Sequence, residues 1–185
     1  TFGRLLRITY PDGEVVTNLY DSGGNLIRAR GVKAVAASGQ NHSYQYLQEL
    51  LYDKFEQRSQ MIQGNGVKTT YSYNDQNRRL SNLTAVRQGN TIFQNLSYSY
   101  DRVGNVLGLK NSVELPHANV YGGPSLQRFE YDELYRLTKA QGVFPANVHA
   151  AAPDVNACAG VPTSHCRVYG LDMTYDTIHN ITGSN

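Results

Sequence analysis

The 185-residue chain carries 17 basic and 15 acidic residues, a formal charge of +2. That balance gives no electrostatic reason to expect nucleic acid or an anionic membrane surface as partner, and no apolar run approaches the ~18 residues needed to span a bilayer. With 14 Tyr, 17 Gly and no Trp, the composition suits pleated, half-buried surfaces and tight turns, and it leans all-β.

Phe2-Gly3-Arg4-Leu5 reads as the tail of a repeat whose Asp would stand just before Thr1, so the chain is expected to be a piece of something longer. Tyr10-Pro11-Asp12-Gly13 is a turn signal. Tyr20-Asp21 follows, with Gly24-Asn25-Leu26 behind it. Val32–Gln40 reads as a surface loop. Tyr44 to Leu51 is open to a helical reading, but Tyr44 and Tyr46 alternate as strand residues do, and we assign it to a strand.

Tyr52-Asp53 is the next dipeptide, and Gly64-Asn65-Gly66 then separates two β-prone runs, the strongest short hairpin signal. Tyr73-Asn74 repeats the dipeptide with Asn for Asp, and Gln88-Gly89-Asn90 resembles the earlier Gly-containing turns. Leu96, Tyr98 and Tyr100 alternate with Ser97 and Ser99, which puts the large groups on one face of a strand. Asp101-Arg102-Val103-Gly104 supplies the turn. Asp can bond the backbone two residues on, Gly accepts positive φ, and Val106-Leu107 begins the return strand. Glu114–Pro124 and Val143–His165 are the remaining loop-like stretches, and Tyr131-Asp132 and Tyr175-Asp176 complete the series.

The Asp-equivalent positions are 21, 32, 21, 27, 31 and 44 residues apart, one unit with insertions. Each unit is expected to be strand, Tyr-Asp turn, strand, Gly-containing turn, and consecutive hairpins make a continuous antiparallel strip. Gly24 and Gly104 keep the turn glycine. Glu56, Tyr135 and His179 stand at that place in other repeats, and there the expectation is another geometry or a residue with φ < 0.

These residues closely resemble the YD-repeat (RHS-type) proteins, a class that includes the C component of bacterial Tc toxin complexes and related polymorphic toxins. The most specific stretch runs from Tyr52-Asp53-Lys54-Phe55-Glu56-Gln57-Arg58 through Gly64-Asn65-Gly66 and Tyr71-Ser72-Tyr73 to Arg78-Arg79-Leu80-Ser81-Asn82-Leu83. The resemblance extends from Phe2 to Asn185. It implies a curved strip of hairpins within a spiralling hollow β-shell, secreted or at the bacterial cell surface, that encloses a C-terminal toxin polypeptide. Residues 1–185 would then be one YD-repeat segment, with insertion loops at 32–40, 114–124 and 143–165. Its partners would be the rest of the shell, the enclosed polypeptide and, through open strand edges, copies of itself. The terminal motif of the self-cleaving core found in some members is not present here.

No enzyme constellation emerges from the residues. The repeated aspartates are explained by turn capping, and calcium would need six to eight converging oxygens. Cys158, His165 and Cys166 fall short of the four ligands zinc takes, and a local disulfide between Cys158 and Cys166 competes with free thiols. No cofactor is expected. Asn41, Asn82, Asn95 and Asn180 begin glycosylation-type triplets that an Asn- and Thr-rich chain also produces by chance. The rival to a shell segment is an extracellular or envelope module whose Tyr-lined face holds carbohydrate.

Overall fold

The computed structural model describes residues 3–34, 39–87, 89–114, 123–145 and 166–184. Strands take up well over half of these, and none of them is helical. The strands are β1 (Arg7–Thr9), β2 (Val15–Tyr20), β3 (Leu26–Ala34), β4 (Asn41–Tyr52), β5 (Arg58–Gln63), β6 (Lys68–Tyr73) and β7 (Leu80–Val86). Then follow β8 (Ile92–Tyr100), β9 (Val106–Asn111), β10 (Ser125–Tyr131), β11 (Leu137–Pro145), β12 (Cys166–Tyr175) and β13 (Ile181–Ser184).

The chain forms two compact units. One is Thr1–Tyr71 with Ala85–Thr91, and the other is Ser72–Thr84 with Ile92–Asn185. In the first, β1 to β6 pair antiparallel, each with its chain neighbour. In the second, β8 to β13 do the same. The fold is therefore all-β and built of consecutive antiparallel hairpins. The stretch open to a helical reading, Tyr44 to Leu51, lies inside β4.

Two turn classes alternate. Gly-containing turns join β1 to β2 and β5 to β6. At the first, Gly13 N–H donates to Tyr10 O at 3.0 Å, with Gly13 at φ +84°. At the second, Gly66 N–H donates to Gln63 O at 2.9 Å and Asn65 Oδ1 accepts from Val67 N–H at 3.0 Å. Tyr-Asp turns leave every even strand from β2 to β12. Because neighbouring strands are antiparallel, the Tyr-Asp turns of one unit lie at the same end of its strands.

Two expected loops begin later than the sequence suggested. Val32–Ala34 belongs to β3 and pairs with Asn41–Ser43, and Val143–Pro145 belongs to β11 and pairs with Cys166–Val168. The ladder continues through these residues because β-branched and aromatic side chains there keep an extended backbone. Residues 115–122 and 146–165, where the other insertions were placed, lie outside the described residues, as does Cys158.

Little is buried. Leu50, Val67, Thr69, Ala85, Val113, Pro124 and Ala140 are the buried side chains among the described residues, and no large side chain is fully buried. Among the described residues each unit is a sheet whose strands pack chiefly on their chain neighbours, with no second layer to close a core as ordinary domains have. A far-ultraviolet circular dichroism spectrum of the chain should show a strand signature with no helical double minimum; a helix-dominated spectrum would exclude this fold.

Candidate functional site

The residues singled out by the repeat converge on one structural site, the Tyr-Asp turn, repeated along the chain. Tyr20, Tyr52, Tyr73, Tyr100, Tyr131 and Tyr175 each end an even strand, and Asp21, Asp53, Asn74, Asp101, Asp132 and Asp176 each open the turn that follows.

The acidic oxygen takes up the turn amides. Asp53 Oδ1 accepts from Phe55 N–H at 2.8 Å and Gln57 N–H at 2.9 Å. Asp132 Oδ1 accepts from Leu134 and Arg136, both at 2.9 Å, and Asp176 Oδ1 from Ile178 at 2.9 Å and Asn180 at 2.8 Å. Asp101 Oδ1 takes Gly104 N–H at 2.7 Å and Asn105 N–H at 2.9 Å. Asn74 serves the same purpose without charge, accepting from Gln76 at 2.9 Å and Asn77 at 3.1 Å, across a turn one residue longer. An ionised acceptor facing fixed N–H donors is stabilised in its charged form. The backbone N–H of Asn25, of Arg136 and of Asn180 accordingly holds the carboxyls of Asp21, Asp132 and Asp176 below the usual range. At Asp101, desolvation pushes upward, and the bonds from Asn105 and Gly104 outweigh it.

The turns without glycine also take positive φ at this place, which excludes the expected negative φ; they differ from the glycine turns only in lying nearer +60° than the +90° and +113° of Gly24 and Gly104. Glu56, Tyr135 and His179 adopt φ of +61°, +62° and +72°, and Arg78 takes +61° in the longer turn. The left-handed conformation costs a non-glycine residue roughly 1–2 kcal/mol. The two bonds made by each Asp Oδ1 and the flanking ladder hold it in place. A bulge follows every five-residue turn. Tyr20 pairs with Leu26 but Leu19 with Arg28, and the same one-residue slip recurs at Tyr52, Tyr100, Tyr131 and Tyr175.

The tyrosine hydroxyls reach into the preceding repeat. Tyr20 Oη donates to Leu5 O at 3.0 Å, Tyr52 to Leu26 O at 3.0 Å and Tyr100 to Leu80 O at 2.9 Å. Tyr131 donates to Val106 O at 3.0 Å and Tyr175 to Leu137 O at 2.7 Å. In each case the acceptor is the first aliphatic residue after the previous turn. The hydroxyl thus ties one hairpin to the next across the strand pair that joins them. Burial pushes the phenols of Tyr100 and Tyr131 up.

Sequence reasoning missed this bond and a second one beside it. Arg4, Arg79 and Arg136 stand just before the acceptor residue, and their guanidinium carbons lie 6.0, 5.7 and 4.6 Å from the ring centres of Tyr20, Tyr100 and Tyr175. Each also donates to a carbonyl of the following turn. The available signal was the recurrence of Arg or Asn in the column before the aliphatic residue.

Gly24 and Gly104 occupy the positive-φ place of their turns. Among the described residues, no group of three or more His, Cys, Asp or Glu side chains could hold a metal ion, and no helix is long and apolar enough to cross a membrane.

Comparison with known proteins decides the kinship. No family model matches the chain. Toxin subunit YenC1 of Yersinia entomophaga is 32% identical over 142 residues, 73% of this chain and 14% of that protein. Toxin subunit YenC2 of the same organism is 32% identical over 146 residues, again 14% of its length. The TcdB2–TccC3–Cdc42 crystal structure superposes over 98% of this chain with a TM-score of 0.73 and 26% identity. The chain belongs to the YD-repeat, RHS-type proteins, as a homologue of Tc toxin subunits. The Photorhabdus luminescens Tc holotoxin pore superposes over the same 98% with a TM-score of 0.71 and 27% identity. This YD-repeat chain spans 8% of each of those two solved chains, so it matches a small part of much larger polypeptides.

Removing a single latch hydroxyl isolates its contribution. Tyr131→Phe should lower stability by about 1 kcal/mol, the net worth of one such hydrogen bond, while keeping the ring in place; an unchanged denaturation midpoint would show that Val106 O is equally satisfied by water. The turn carboxylates set a pH dependence. The folded pKa values of Asp21, Asp101, Asp132 and Asp176 are depressed, so the unfolded chain binds more protons in acid. Their stabilisation is complete above the unfolded carboxylate pKa of about 3.9 and is lost as pH falls through the depressed values. Acid unfolding should therefore shift to higher pH and flatten in Asp176→Asn and Asp132→Asn, measured by fluorescence or dichroism between neutral pH and strong acid.

Proposed function

We propose that this segment is a non-enzymatic piece of the wall of an RHS-type shell, which encloses a toxin or effector polypeptide within a secreted bacterial toxin. The observation that carries the reading is the use made of the repeat residues. Tyrosine hydroxyls and aspartate oxygens are spent on joining hairpin to hairpin and closing turns, in a sheet with almost no core of its own. Such a construction gives reach without a hydrophobic interior: it extends by adding units, and each unit leans on its neighbours.

The kinship with Tc toxin subunits supports association with other toxin components. The similarity to the TcdB2–TccC3 assembly over nearly the whole chain supports a place in a comparable wall. A catalytic role lacks a nucleophile–base pair among the described residues. Tyr46, a phenol beside a carboxylate, donates to Glu14 Oε1 at 2.6 Å, and that bond pushes its pKa up to about 12, away from useful proton transfer at neutral pH.

Protease protection tests containment directly. In the parent polypeptide carrying this segment, the chain following the repeats should resist digestion while the wall is intact. It should become digestible when Tyr100, Tyr131 and Tyr175 are all replaced by Phe. Free digestion of that chain in the intact parent would overturn the reading.

A further inference from the structure

The residue that closes each turn is Asn at 25, 105 and 180, Arg at 4, 79 and 136, and Gln at 57, and the Asn and Arg versions behave differently. Where it is Asn, the side chain turns back on its own aspartate. Asn105 Nδ2 donates to Asp101 Oδ2 at 2.8 Å, Asn180 Nδ2 to Asp176 Oδ2 at 3.0 Å and Asn25 Nδ2 to Asp21 Oδ2 at 3.4 Å. Where it is Arg, the side chain reaches forward to the next turn. Arg4 Nη2 donates to Gly23 O at 3.1 Å. Arg79 donates to Asp101 O at 2.6 Å and to Arg102 O at 3.2 Å. Arg136 does both: its Nε holds Asp132 Oδ2 at 2.7 Å, and its Nη1 donates to Asp176 O at 3.3 Å. The length and planar fork of guanidinium make this double engagement feasible, and the amide of Asn is too short for it.

The receiving turn differs to match. The two turns that receive Arg4 and Arg79 carry Gly24 and Gly104 at the positive-φ place. A methyl-sized group on Gly24 would collide with the Arg4 guanidinium, and one on Gly104 would stand 3.0 Å from Arg79 Nη2. The turn that receives Arg136 has His179 there, and His179 Nδ1 accepts from Arg136 Nη1 at 3.1 Å. The turns that follow Asn25 and Asn105 instead carry Glu56 and Tyr135 at this place, with φ of +61° and +62°, and Tyr135 is 60% exposed.

We infer that these two positions form an inter-repeat clamp: Arg at the close of one turn, just before the first aliphatic residue of the return strand, engages the next turn only where that turn has Gly, or a hydrogen-bonding His, three places after its own Asp. At Gly24 and Gly104 a side chain would compete with the clamp for the space above the turn. The clamp joins the turn at Asp101 to the repeat before it and the turn at Asp176 to the repeat of Asp132. The joint between the turns at Asp101 and Asp132 is unclamped and relies on the Tyr131 latch and the ladder. In the second unit stiff and compliant joints thus alternate, and local opening starts at the compliant one.

Hydrogen exchange on the parent polypeptide, resolved to the turn peptides, tests the rule through a double-mutant cycle. Arg79→Gln should speed exchange of the Gly104 and Asn105 amides about tenfold, as loss of charge-assisted bonds implies. Gly104→Asn, which would draw the turn from φ +113° toward the +61° to +72° of the turns without glycine, should do the same by excluding the guanidinium, and the double variant should be no faster than either single one. The converse is independent of any loss of stability: Asn105→Arg together with Tyr135→Gly should slow exchange at Leu134–Arg136, whereas Asn105→Arg alone should not. Additive effects in the first cycle, or equal slowing by Asn105→Arg without the glycine, would overturn the clamp.

Discussion

Everything in this chain hangs on how a sheet without a core keeps its hairpins together. A single layer of strands offers its own ladder and little else, because side chains on either face have no second layer to pack against. The Tyr hydroxyl bonded to the first carbonyl of the previous return strand supplies what the missing core does not. It works at the end of the strands, where the ladder frays first, and it acts between repeats, where turn chemistry cannot reach. Tyrosine suits the task because its ring covers half-buried sheet surface while its hydroxyl carries a donor several ångströms from the backbone.

The aspartate next to it is the local half of the same device. Its Oδ1 gathers two turn amides, fixes the five-residue loop, and so sets the one-residue bulge that follows. The bulge in turn presents the carbonyl of Leu26, Val106 or Leu137 to the next hairpin's tyrosine. Dipeptide, bulge and latch are thus consecutive consequences of one turn geometry. This is a physical reason for Tyr and Asp to recur as a pair. It also explains why Asn74 can replace Asp: the acceptor oxygen and its position matter to the turn more than the charge does.

The same geometry tolerates large differences at the turn surface. Glu56, Tyr135 and His179 sit in a backbone conformation that glycine would adopt without strain. Two capping bonds and a flanking ladder outweigh a cost of roughly 1–2 kcal/mol. A repeat architecture can vary its turn tips in this way without losing register, since register is set by the bulge and by pairing on both sides. Kinship with Tc toxin subunits, over a small part of their length, fits a unit that is repeated and varied along a much longer strip.

The Tyr-Asp spacing, the alternation of Leu96, Tyr98 and Tyr100 with serines, and the Gly64-Asn65-Gly66 turn made the all-β hairpin architecture legible from the residues alone. These are local signals: period two and turn propensity act within a few positions of the chain. The strand assignment of Tyr44–Leu51 rests on the alternation of Tyr44 and Tyr46. The positive φ of Glu56 and Tyr135 was not legible, because propensity argues against it and only the completed turn enforces it. The partners of Tyr131 and Arg136 lie 25 and 40 residues away, at Val106 and Asp176, and no periodicity names an acceptor carbonyl in another repeat. Which segments become strands and turns is written in the residues, since it depends on short-range backbone preference. Which repeat bonds to which is not, because that depends on register, and register exists only once the strands have paired.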